Sequence, residues 1–205
     1  MAPRPSDVIR TIAIERRDTD LLTTRFDAAL ADARALHADQ TRKGTAIPYL
    51  SHLMAVASLV LEAGGDEDQA IAGLLHDTIE DAGESEASLD ARFGPRVARI
   101  VAECSDHRGE WPKPDWRPRK EAYLASIATK SDDAILVTVC DKLHNAGAIL
   151  EDLRSDGPGV FDRFTAGRDG TLWYYGELAR ALAARCPGPL TARLSRTVET
   201  LRAEA

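Results

Sequence analysis

Apolar residues recur at three- and four-residue spacings across 21–38, 50–63, 68–79, 95–103, 119–128, 132–153, 171–185 and 189–203, and no stretch keeps a two-residue alternation between hairpin turns. The pattern predicts an all-α fold. Gly64-Gly65 ends the second segment, Gly94-Pro95 starts the fourth, and Pro187-Gly188-Pro189 separates the last two. The β-branched run "AILVTVC" taken alone resembles a strand. It continues into "DKLHNAGAILEDL", where Leu143, Ile149, Leu150 and Leu153 keep helical spacing, so the reading is one long buried helix. Residues 1–20 read as a polar extension, 21–205 as one domain, and the proline-rich 108–118 as a long loop of the kind that often carries function. No internal repeat or low-complexity tract interrupts the pattern.

Several polar residues stand where this pattern calls for apolar ones. The stretch "LLHDTIED", Leu74 to Asp81, places a histidine and three carboxylates directly behind a buried run, and bare buried charge is expensive. On a continuous helix His76 and Glu80 are four apart, as are Asp77 and Asp81, and Asp77 and Glu80 are three apart, so the four share one broad face. His52 sits at the start of the apolar helix "YLSHLMAVASLVLEAGG", and Asp141 interrupts the long helix in "VTVCDKLHN". Together His52, His76, Asp77 and Asp141 make a mixed nitrogen and oxygen set suited to Mn²⁺, Fe²⁺, Co²⁺, Zn²⁺ or Mg²⁺, and the absence of cysteine from the set argues against a closed structural zinc site. Each residue also has a plainer reading. His52 alone would be a hydrogen-bonded core histidine, Asp141 a cap or a partner for Lys142, and Glu80 with Asp81 the solvated end of a helix before Gly83. His37 and His144 read as structural, and His107 as a loop residue.

Length and charge narrow the setting. A chain of 205 residues is long enough to bury a substantial core. No apolar run approaches the length of a membrane span, and "MAPRPSDVIR" lacks the apolar centre of a secretory signal. Cys104, Cys140 and Cys186 are odd in number and far apart, which predicts reduced core thiols in a cytoplasmic protein. A formal net charge of -7 argues against general nucleic-acid binding. The local exception is "HRGEWPKPDWRPRK", His107 to Lys120, where basic residues cluster with two tryptophans.

The segments "ALHADQTRKGTAIPYLSHLMAVASLV", "AIAGLLHDTIED" and "VTVCDKLHNAGAILEDL" resemble those of the HD-domain hydrolases related to RelA and SpoT, and most of all the free-standing SpoT-like small alarmone hydrolases. The resemblance runs over roughly residues 24–185, including "GRDGTLWYY". It implies an HD-domain helical bundle with a central metal site, and removal of the 3′-pyrophosphate from guanosine tetra- or pentaphosphate in a Mn²⁺-dependent hydrolysis. By motif, His52, His76, Asp77 and Asp141 would hold the metal, and Glu80 and Asp81 would be the catalytic acidic pair. Arg42, Lys43 and Asn145 would contact the nucleotide, joined by Arg119 or Lys120 at the phosphates. Of Trp173, Tyr174 and Tyr175, at least one is expected in the core and another at the pocket's edge.

The sequence departs from the family at several places. Leu53 follows His52 where the long enzymes have proline, and the lead is "GTAIPY" as in the small hydrolases. Gly147 and Gly176 stand where close relatives are expected to carry arginine, which opens an adenosine alarmone as an alternative substrate. NADPH, a deoxynucleotide, or nucleotide binding without catalysis are the further alternatives. No synthetase domain fits in this length, so the expected direction is degradation, and the oligomeric state stays open.

Overall fold

A computed structural model describes residues 21–106 and 115–205; the polar extension 1–20, His107 and most of the proline-rich segment lie outside the described residues. Ten α-helices occur among the described residues: α1 (Thr24–Leu36), α2 (Leu50–Glu62), α3 (Glu67–Leu75), α4 (Thr78–Asp81), α5 (Glu86–Phe93), α6 (Pro95–Cys104), α7 (Trp116–Ser126), α8 (Asp132–Asp156), α9 (Gly167–Arg185) and α10 (Pro189–Glu204). Among those residues there is no strand, only an isolated bridge pairing Thr41 with Pro48. The all-α expectation holds.

Local chemistry sets the boundaries. Asp66 and Gln69 form a reciprocal capping box at the start of α3, and Ser131 caps α8, whose first turn carries Asp132 and Asp133. The run "AILVTVC" lies wholly inside α8, as its helical continuation predicts. α7 starts at Trp116, three residues earlier than the periodicity indicates. Pro118 is tolerated there because it falls in the first turn, where a missing N–H costs no helical bond. α5 was not anticipated: its eight residues bury only Leu89 and Phe93, too few for a periodic signal, although Ser85 caps it.

α8 is the axis of the fold. Ala134, Val137 and Cys140 face one core shared with α1, α2, α3, α5 and α6. Ile135, Val139, Leu143, Ala146, Ile149 and Leu150 face a second core shared with α7, α9 and α10. Asp141 is buried on this helix, among the residues that line the two cores. α2 and α3 approach so closely that a Cβ on Gly73 would lie 3.2 Å from the Ala57 Cα. That contact sets His52 of α2 beside the end of α3.

The predicted segment 68–79 is not one helix. α3 ends at Leu75, His76 is its C-cap, and Asp77 (φ −100°, ψ 0°) precedes the single turn of α4. Thr78 Oγ1 donates to the Leu75 carbonyl at 2.7 Å, which satisfies one of the acceptors freed by the break. Of the three cysteines, all free, Cys104 and Cys140 are core thiols as expected, but Cys186 is exposed at the end of α9.

Candidate active site and metal centre

His76 and Asp77 lie at the junction of α3 and α4. Adjacent helical residues differ by about 100° around the axis, which lets both side chains face one ion. Here His76 Nε2 lies 3.0 Å from Asp77 Oδ2. From α8, Asp141 Oδ1 lies 3.6 Å from His76 Nε2 and 3.3 Å from His52 Nε2. His52, His76 and Asp141 are buried, and their donor atoms lie within 4.8 Å of one another. Asp77 falls outside that mutual cluster but stays within 3.9 Å of His52 Nε2 through the same Oδ2 that faces His76. Its Oδ2 also accepts the Tyr49 hydroxyl.

The donor set fits a divalent cation. His76 Nδ1 lies 2.9 Å from the Gly73 carbonyl, and because a carbonyl only accepts, that nitrogen carries a proton and Nε2 is the ring atom that faces Asp77 and Asp141. Both His52 Nε2 and His76 Nε2 are buried without a hydrogen-bond partner and, unlike the equally partnerless His37 Nε2, both face carboxylates, as ligand atoms of one ion would. Electrostatics agrees. Burial works against charge on His76, yet the Asp77 and Asp141 carboxylates outweigh it and hold the imidazole's pKa well above its ordinary value, so a positive charge is favoured at this point. For His52 burial wins and its pKa is lowered. Burial opposes ionisation of Asp141 too, but Lys142 and His76 hold its carboxyl well below the usual range.

Glu80 and Asp81 flank this cluster in different ways. Glu80 is largely buried, and desolvation, followed by the carboxylates of Asp106 and Asp77, pushes its pKa up to about 7. Its Oε1 accepts the backbone N–H of Asp106. Asp81 is exposed on the cleft side and is oriented by Gln40, whose Nε2 donates to Asp81 Oδ2 at 2.9 Å. Gln40 in turn meets the ring of buried His37 at 2.5 Å, so that histidine supports the orientation of Asp81.

Two adjoining cavities open beside the cluster and share Lys43, Asn145, Phe164 and Tyr175. The larger, about 460 Å³, is bordered by Arg42, Tyr49, Asp81 and Ala148. The smaller, about 290 Å³, is bordered by Arg119, Lys120 and Lys142 together with Trp116 and Tyr174. Four cations therefore converge on the second cavity. Asn145 joins the cleft to the cluster: its Nδ2 donates to Asp141 Oδ1 at 2.5 Å and its Oδ1 accepts Arg42 Nη2 at 2.7 Å. Arg42 also lies over the Tyr49 ring, and Lys43 over the Phe164 ring. The turn that carries both basic residues passes through Gly44 (φ +73°), where a Cβ would collide with the Arg163 side chain 2.5 Å away.

Sequence reasoning missed Asp106. Its nearly buried carboxylate accepts Lys120 and Arg119 while its backbone holds Glu80, so one residue ties Glu80 to the basic cavity. It also missed Lys142 as a cleft residue; the amine pairs with Asp141 Oδ2 and lies over the Tyr123 ring. His144, expected to be structural, touches a candidate ligand: its Nδ1 is 2.8 Å from His52 Nδ1. Tyr174 and Tyr175 are core residues that also edge the smaller cavity, and Trp173 stacks on Arg117 instead. Gly147 and Gly176 border neither cleft cavity. Gly147 lines a separate groove with Ser58, and the space a Cβ on Gly176 would need is taken by the Arg202 guanidinium.

Comparison with known proteins places this arrangement in a family. The guanosine-3′,5′-bis(diphosphate) 3′-pyrophosphohydrolase of Aquifex aeolicus is 44% identical over 115 residues, which are 55% of this chain and 16% of that protein. The MESH1 protein of Xenopus tropicalis, which carries the same enzyme name, is 35% identical over 125 residues, 60% of this chain and 65% of that protein. The chain thus spans less than two thirds of the length of either relative. Among solved structures, a metazoan ortholog of SpoT described as hydrolysing ppGpp superposes with a TM-score of 0.72 at 27% identity, covering 86% of this chain and 95% of the other. The HD domain profile matches residues 29–172, well over half of the chain, and the chain belongs to the HD domain family.

Proposed function

We propose that this protein is a metal-dependent hydrolase that removes the 3′-pyrophosphate from ppGpp or pppGpp, leaving GDP or GTP and pyrophosphate. The observation that carries the reading is the pair of buried, partnerless imidazole nitrogens of His52 and His76 facing Asp77 and Asp141, next to an acidic pair and a cation-rich cleft. The enzyme names of the relatives support the substrate class. His52, His76, Asp77 and Asp141 would hold the ion, Mn²⁺ in this reading. When bound, such an ion acidifies a water and neutralises charge on the phosphoryl oxygens.

The chain's own residues do the rest. Glu80 accepts the proton of the attacking water, and its pKa near 7 lets it return a proton to the departing 3′ oxygen as the bond to phosphorus breaks. Asp81, oriented by Gln40, supports that water. Arg42 and Asn145 grip the nucleotide in the larger cavity, while Lys43 and Lys120, with Arg119 and Lys142, neutralise phosphate in the smaller one. The negative net charge favours a small-molecule partner over nucleic acid. Three free cysteines favour the cytoplasm, and among the described residues no helix is long and apolar enough to cross a membrane.

That neither Gly147 nor Gly176 lines the two cleft cavities argues against an adenosine alarmone as first choice. A nucleotide panel comprising ppGpp, its adenosine counterpart, NADPH and deoxynucleotides, assayed with Mn²⁺ for phosphate and for pyrophosphate, tests the assignment. Pyrophosphate from ppGpp at the highest kcat/KM supports it, and turnover confined to another member refutes it.

A further inference from the structure

We infer that His144 is a positioning residue that fixes the tautomer of His52 and so makes its Nε2 a metal ligand; the inference rests on the metal site proposed above. The Nδ1 atoms of the two rings are 2.8 Å apart, and the ring centroids 4.9 Å apart. A contact that short between two imidazole nitrogens needs one N–H and one lone pair, so it has two forms. In one, His144 Nδ1 donates, His52 Nδ1 accepts, and the proton of His52 sits on Nε2, pointing at Asp141 Oδ1 and closing the ligand position. In the other, His52 Nδ1 donates to His144 Nδ1, and the lone pair on His52 Nε2 is free. Only the second can bind a cation.

The contrast with His76 shows why His52 needs this partner. His76 gets its tautomer from the Gly73 carbonyl, an acceptor that cannot reverse. His52 has no such carbonyl: His144 is the partner of its Nδ1, three residues beyond Asp141 on α8. The same helix therefore supplies a ligand and the group that prepares a second ligand. His144 is half-buried and lines an open groove of about 570 Å³ with Ser58, Glu62, Glu151 and Arg193, where solvent or a carboxylate can accept a proton from its Nε2. With the His144 proton on Nε2, its Nδ1 is the acceptor that His52 requires.

The test compares Mn²⁺ affinity of the metal-stripped full chain for wild type, His144→Leu and His144→Asn, by calorimetry, with circular dichroism and thermal melting of each. Asparagine places Oδ1 close to where the Nδ1 of histidine sits and can only accept there, whereas leucine fills the space without an acceptor. His144→Leu is expected to bind Mn²⁺ about 10–100-fold more weakly and His144→Asn within a few-fold of wild type, the range typical of groups that orient metal ligands. Wild-type affinity in the leucine variant overturns the inference, as does equal loss in both variants, which would mark a packing role. Absence of Mn²⁺ binding by wild type overturns it too. Pyrophosphate release from ppGpp, measured separately on wild type, reports on the enzymatic assignment: normal Mn²⁺ binding and the leucine-specific loss without turnover would leave the role of His144 standing and sink the substrate.

Discussion

The backbone N–H of Asp106 donates to the Glu80 carboxylate across 26 residues of chain, and the Asp106 side chain holds Lys120 and Arg119 on its other side. A single residue at the end of α6 thus couples the group that handles the proton to the groups that bind phosphate. Asp106→Asn keeps the backbone contact and removes the charge. Because the Asp106 carboxylate is one of the causes that raise Glu80, second to burial, the acid limb of the kcat profile is expected to move down by about half to one pH unit. KM rises in the same variant as Lys120 loses its anchor. An unchanged pH profile would show that Asp106 does not act on Glu80.

Glu80→Gln separates activity from stability. Loss of the base is expected to lower kcat by about 10²–10⁴-fold while Mn²⁺ affinity stays within a few-fold. In metal-stripped protein the same change is stabilising at pH 8. Burial pushes Glu80 up to about 7 in the folded state from its ordinary 4.5, so between these values the folded state holds a proton that the unfolded chain has lost, and stability falls as pH rises through that window. Glutamine escapes the loss, by about 1–3 kcal/mol at pH 8. Urea melts at pH 5 and pH 8 check the sign: the variant's advantage should be larger at pH 8.

Arg42→Lys tests the nucleotide grip. Arginine reaches Asn145 Oδ1 at 2.7 Å while its plane lies over the Tyr49 ring, and lysine cannot do both. KM for ppGpp is expected to rise about tenfold with kcat little changed. A fall in kcat at constant KM would place Arg42 in the chemical step instead.

Gly73→Ala probes how the two histidines are brought together. The added methyl meets α2 backbone at 3.2 Å, so the helices must part. A cost of about 1–3 kcal/mol in denaturant melts is expected, with weaker Mn²⁺ binding because His52 moves from His76. Full Mn²⁺ affinity in a destabilised protein would show that the site tolerates a wider helix spacing.

The polar intruders His52, Asp77 and Asp141 were legible because the apolar periodicity around them makes a buried charge conspicuous. What periodicity could not convey was the break at His76 and Asp77. The end of α3 depends on local backbone angles and a side-chain bond from Thr78, and no glycine or proline marks it. His76, Asp77, Glu80 and Asp81 were therefore read on one face of an unbroken helix, whereas His76 caps α3 and Asp77 precedes α4. Asp106 and His144 escaped for a different reason. Their importance lies in contacts 26 and 92 residues away in sequence, which no local spacing encodes. α5 escaped because two buried side chains are too few to establish a period.

The central claim is tested most directly by measuring GDP and pyrophosphate formed from ppGpp by metal-stripped wild type, with and without added Mn²⁺, beside Asp141→Ala. The account predicts equimolar GDP and pyrophosphate from wild type only when Mn²⁺ is present, and none above background from the variant under either condition. Turnover that persists in chelator, or that survives loss of the Asp141 carboxylate, would contradict it.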